Sequence, residues 1–148
     1  MTHIRSRIRS TMKSVLVAAL PSGKYQVFAS RKYNLNTTAQ ATIDIGFQSD
    51  DTESQMMGKT RKHTATLFIR CQRVAAETAV DDLLDADEIL INAAIQAYSW
   101  SALLEEQPEL TRTVFADDAS TGTVIAAIVL QYDLDYRAAI DDLETVRT

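Results

Sequence analysis

The chain has 148 residues, 46% of them hydrophobic, and a formal net charge of −5. That length fits one domain of common size with a proper core. No apolar run approaches the ~20 residues of a membrane-spanning helix, and an acidic total argues against a general nucleic-acid binder.

The charge is unevenly placed along the chain. Residues 1–73 hold twelve Lys/Arg and four Asp/Glu, whereas residues 74–148 hold three Lys/Arg and sixteen Asp/Glu. If the halves segregate in space, the surface is polarised and suited to directional contact with a partner or a second copy. If they interleave in one sheet, the charges mix. The single cysteine, Cys71, excludes an intrachain disulfide and fits a reducing cytoplasm.

In chain order, residues 2–20 form a helix, with Ile4, Ile8, Met12, Val15 and Ala19 at three- and four-residue steps. Arg5, Arg9 and Lys13 form a second row, the wet side of the helix or a contact for phosphate. The basic start and short apolar stretch superficially resemble a signal peptide. The helical spacing, and the interruption at Lys13 and Ser14, read instead as a mature helix. Pro21 and Gly23 stop it.

Three strands follow, over residues 25–33, 41–49 and 64–73. The second alternates Ala41, Ile43, Ile45 and Phe47 with Thr42, Asp44, Gly46 and Gln48, the period of a half-buried strand. The third puts Ala65, Leu67, Ile69 and Cys71 on one side. Residues 49–63 between them read as a long polar loop that changes sign. Asp50, Asp51 and Glu53 come first and Lys59, Arg61 and Lys62 last, with Met56 and Met57 at the tip. A long polar connection in a small domain is usually functional or disordered, and adjacent thioethers suit adaptable contacts.

A second helix covers residues 78–100, with Val80, Leu83, Leu84, Leu90, Ile91, Ala94, Ile95 and Tyr98 on its buried face. Asp81, Asp82, Asp85 and Glu88 sit near its start, where the helix dipole favours negative charge, so they need no catalytic role. A short strand at 110–115, a reversal at 117–122 and a long final strand complete the pattern. The last strand places Val124, Ala126, Ile128, Leu130, Tyr132, Leu134 and Tyr136 on one face. Its fourteen residues at ~3.3 Å each would reach about 46 Å, so a bulge breaks it or its end projects and needs another subunit to cover Leu134 and Tyr136. The tail, 137–148, reads as a short amphipathic helix through Ile140 and Leu143. The order defines an α+β fold: a mainly antiparallel or mixed sheet of about five strands with two main helices packed on it, in one domain over residues 1–148.

Motifs for chemistry are sparse. His3 and His63 lie in no ligand-spaced cluster with each other or with Cys71, so no metal site is expected. Cys71 falls on an apolar strand face, where cysteines are commonly inert. Gly58-Lys59-Thr60 matches only the end of a phosphate-binding loop, with Glu53 where its first glycine belongs. Asp133 and Asp135 share a strand face with Gln131 and read as solvated surface.

The element order, the long inter-strand loop and the aromatic-rich last strand, residues 130–137, LQYDLDYR, together resemble the tail terminator proteins of long-tailed bacteriophages, the family of the lambda minor tail protein U. The likeness covers nearly the whole chain but rests on no signature motif. It departs where a proline-containing lead into the second strand is expected and residues 34–40, NLNTTAQ, stand instead. The resemblance implies a non-enzymatic virion protein of the head-proximal tail, assembled in the host cytoplasm as a homohexameric ring without cofactor, metal or membrane contact. Such a ring caps the tail tube protein, ends its polymerisation and offers a joining surface to the head–tail connector protein, while DNA passes through without sequence-specific binding. On that reading Asp50, Asp51, Glu53, Met56, Met57, Lys59, Arg61 and Lys62 dock on the tube. Tyr132, Leu134 and Tyr136 form a subunit interface, and Asp117, Asp118, Asp133 and Asp135 are lumen candidates. The alternatives are another head–tail connector or tail-completion protein of related fold, a small α+β enzyme using Asp117, Asp118 or Asp133, and a dimeric binding module paired through the last strand.

Overall fold

A computed structural model describes residues 3–21, 23–30, 41–57, 60–76, 79–120 and 123–139, excepting the side chains of 53–57, 60, 75–76, 117–120, 123–124 and 139. Two helices, α1 (Ile4–Ala19) and α2 (Val80–Ala97), pack on a five-stranded mixed sheet. The strands are β1 (Tyr25–Phe28), β2 (Ala41–Met57), β3 (Thr60–Ala76), β4 (Glu109–Ser120) and β5 (Thr123–Ala139), in the spatial order β1-β2-β3-β5-β4. The α+β class expected from the element order is the class observed.

β1 is parallel to β2 and every other pair is antiparallel. A parallel neighbour needs a crossover of about a dozen residues, and the chain between Phe28 and Ala41 provides it. The strand expected over residues 25–33 is therefore only Tyr25–Phe28 within the described residues, and 31–40 lie outside them. The helix expected over the tail falls largely outside them too. Its first residues continue β5 as far as Ala139.

The core lies between the sheet and the helix layer. Ile4, Ile8, Met12 and Leu16 of α1 and Leu84, Ile91 and Ile95 of α2 meet Ile43, Ile45, Leu67, Ile69, Ile128 and Leu130 in one buried cluster. Leu16 takes the place expected for Ala19, which is exposed. Leu90 and Tyr98, assigned to the buried face of α2, are exposed instead. Leu90 lies on the flank of that face, and Tyr98 stands beyond the helix end, edge-on to Trp100. Trp100 is the residue that plugs the core, its indole N–H donating to the Ile95 carbonyl at 3.0 Å.

The 49–63 segment is not a loop. β2 runs on to Met57 and β3 begins at Thr60, so these residues form an antiparallel ribbon. Its polarity misleads because strand pairing is made by the backbone and does not need apolar side chains. Two irregularities, at Phe47/Ser49 and Thr52/Met56, also break the period of two. The reversal assigned to 117–122 is likewise shorter, since β4 continues to Ser120.

Candidate functional site

β5 pairs with β3 in unbroken register from Thr123 to Ala139, and the irregularities lie elsewhere, in the β2–β3 and β4–β5 ladders. The strand does extend far, but its end is not bare. Tyr132, Leu134 and Tyr136 are buried within the chain itself, at 0%, 1% and 0% exposure, in the cluster that holds Ile4, Ile8, Leu103 and Leu104. They are core residues, which corrects their assignment to a subunit interface. The first turns of α1 and the segment after α2 supply the cover that sequence reasoning sought from another molecule.

Asp50 was expected on a docking loop. The bulge at Phe47/Ser49 turns it to the helix side of the sheet, where its carboxylate is held from three elements. His63 Nδ1 lies 2.9 Å from Oδ1, the Tyr136 hydroxyl donates to Oδ2, and Arg5 of α1 stands 3.9 Å away. The His63 ring stacks flat on Tyr136, with centroids 4.8 Å apart. Burial first, and then the hydrogen bond to Asp50, push the Tyr136 hydroxyl well above the ordinary tyrosine range. This cluster ties the base of the ribbon to α1, so Asp50 is a structural anchor and not a free docking group. Of the other docking candidates, Asp51 is exposed opposite Thr64, Lys62 lies 3.8 Å from Asp135, and Arg61 is half-buried. Glu53, Met56 and Met57 belong to the ribbon backbone, and Lys59 lies outside the described residues.

A second polar cluster escaped the sequence reading. Asp87 of α2 is buried, and both its oxygens are engaged by Arg73 of β3, Nε at 2.5 Å and Nη2 at 2.7 Å. The Tyr25 hydroxyl donates to it at 2.5 Å and the Cys71 thiol at 3.6 Å. Burial and this carboxylate push Tyr25 up to about 12 and raise the Cys71 thiol, and the ion pair holds Arg73 firmly protonated. A detectable signal existed: Leu84, Asp87 and Ile91 follow helical spacing, so an acid occupies a buried slot of an apolar stripe. The cluster locks α2 to β1 and β3. Its groups are hydrogen-bonded to one another.

The four lumen candidates do not come together. Asp133 and Asp135 share the face of β5 away from the helices, where they accept from Thr66 and Thr64 at 3.4 and 2.9 Å. Asp117 and Asp118 lie opposite Ala126 and Ile125, toward the other end of the β4–β5 ladder. Seven residues separate Ala126 from Asp133, about 23 Å along a strand. No three His, Cys, Asp or Glu side chains among the described residues are grouped to hold a metal.

What the fold does gather is charge. The strand order sets β1, β2 and β3 on one side of a β3/β5 seam and β5 and β4 on the other. α1 packs beside β1 and β2, and α2 beside β3 and β5. The strands of the basic and acidic halves are thus not interleaved, and among the described residues α2 lies over the seam between them. Arg73–Asp87 and Lys62–Asp135 cross the seam. Away from it, Arg7 and Lys13 face outward on α1, and Asp81, Asp82 and Asp85 face outward on α2.

No family model matches the chain, and no curated protein matches its sequence.

Proposed function

We propose that this chain is a ring-building structural protein of the phage tail terminator type. On this reading it forms a homohexamer that caps the tail tube, ends its growth and presents the joining surface for the head connector, with DNA passing through the centre. The observation that carries the reading is the lateral charge segregation. The strands on one side of the β3/β5 seam, with α1, come from the basic half of the chain, and β5, β4 and α2, which packs over the seam, come from the acidic half. Unlike flanks favour head-to-tail contacts over two-fold ones, and head-to-tail contacts build rings when the rotation closes. The β2–β3 ribbon supports the reading as the element that reaches the tube, because Asp51 and Lys62 show both charge signs near its base. No observation favours the carboxylate enzyme, since Asp117 and Asp118 stand apart from Asp133. The test is electron microscopy of the purified protein, with native mass, in the presence and absence of tail tubes. Annular particles of six copies, free or seated on tube ends, are the expected result. A monomer or two-fold dimer that leaves tube ends bare overturns the proposal.

A further inference from the structure

A cleft of about 470 Å³ lies between the first half of α1 and the outer edge of β2. Among the described residues β1 pairs with that edge as far as Asp44, and the cleft is lined by the next residues, Ile45, Gly46 and Phe47. Its polar lining is His3, Arg5, Ser6, Arg9 and Ser30, with no carboxylate among the described lining residues. Arg5 and Arg9 stand one helical turn apart. Arg5 reaches Asp50 only at 3.9 Å, and Arg9 donates to the neutral Ser6 hydroxyl at 3.0 Å. α1 has no acid in its first turn to offset its dipole. The His3 Nε2 atom is buried with no hydrogen-bond partner among the described residues. The cleft is short of negative charge.

The opposite flank offers that charge at the same height. Following the ladders across the sheet, Leu110 pairs with Tyr132, Tyr132 with Leu67 and Leu67 with Phe47. Thr113 reaches Ile45 in the same way, through Leu130 and Ile69. The start of β4 and the cleft therefore share rows of the sheet. Just before those rows the chain carries Glu105, Glu106 and Glu109. Glu105 is taken by Arg137 at 2.5 Å, whereas Glu106 and Glu109 are exposed and joined to no cation among the described residues. A rotation axis running along the strands keeps every row at its own height.

We infer that the α1–β2 cleft of one copy receives the Glu106–Glu109 corner of the next, with Arg5 and Arg9 facing the two carboxylates. This rests on the head-to-tail ring proposed above and names its contact. Charge-assisted pairs at such a rim govern association rate, salt dependence and choice of partner more than they add affinity.

Sedimentation velocity at low and high salt, with Arg9→Glu, Glu109→Arg and the double variant, tests the pairing. Circular dichroism confirms folding, since both positions lie outside the core. Each single reversal is expected to weaken self-association by roughly tenfold or more, and the double reversal to restore it. If all three variants assemble as the parent does, the cleft pairing is wrong and the ring stands on some other contact. If the parent remains monomeric at high protein concentration and low salt, the ring reading fails and takes the pairing with it.

Discussion

Asp87→Ala isolates the contribution of the buried ion pair. The Asp87 side chain is 1% exposed and that of Arg73 10%. With the carboxylate gone, the guanidinium keeps the Tyr25 hydroxyl, at 3.3 Å, and its place over the Tyr25 ring, 5.5 Å from the centroid. Two unit charges ~4 Å apart at an effective dielectric of ~20 attract by about 4 kcal/mol, and removing one partner of a buried pair typically costs about 3–5 kcal/mol. Domains of this size hold roughly 5–15 kcal/mol in total, so the variant should be marginal. The double variant Asp87→Leu with Arg73→Met removes both charges and should lie within ~1–2 kcal/mol of the parent. Urea unfolding followed by the fluorescence of Trp100, the only tryptophan and fully buried, measures both. A loss below ~1 kcal/mol for Asp87→Ala, or a double variant as poor as the sum of its singles, would refute the argument that charge pairing holds α2 on the sheet.

Leu134→Asp should unfold the monomer instead of merely separating subunits. Leu134 is buried in the core, and even Leu134→Ala is expected to cost about 2–5 kcal/mol, read as a lower urea midpoint with association measured in parallel. Replacing residues 54–58 with a short Gly-Ser link should leave the thermal midpoint nearly unchanged and abolish tail joining; normal-length infectious tails from that variant would remove the ribbon from the docking role. Alkaline stability should fall between pH 10 and about 12, because the native state holds the Tyr25 proton above its ordinary value of 10.0. The raised native pKa means that this stabilisation is complete below pH 10 and is lost as pH rises through the native value. Tyr25→Phe should flatten that part of the urea-midpoint profile, and an unchanged slope would place the alkaline sensitivity elsewhere.

The local periods were legible where a face is buried throughout. Ile4, Ile8 and Met12 announced α1, and the alternation through β5 announced both its length and its inward face. The ribbon was not legible, because its sequence is polar and two irregularities break the alternation. Asp87 was not singled out, although it falls in the apolar stripe of α2 between Leu84 and Ile91. Only the approach of Arg73 from β3 makes it a buried partner. The cleft was half legible: Arg5 and Arg9 stood out as a row, but no local pattern says that Ile45, Gly46 and Phe47 of β2 lie beside them.

By itself the sequence determined the class of the fold, the number of main elements and the charge of each half, since periodicity and composition are properties of contiguous residues. Tertiary structure decided which residues meet. It folded Tyr132, Leu134 and Tyr136 inward under α1 and the segment after α2. It also kept the strands of the basic half beside one another and those of the acidic half beside one another by choosing the order β1-β2-β3-β5-β4. Strand order is fixed by pairings between residues far apart in the chain, and local patterns carry no information about those pairings.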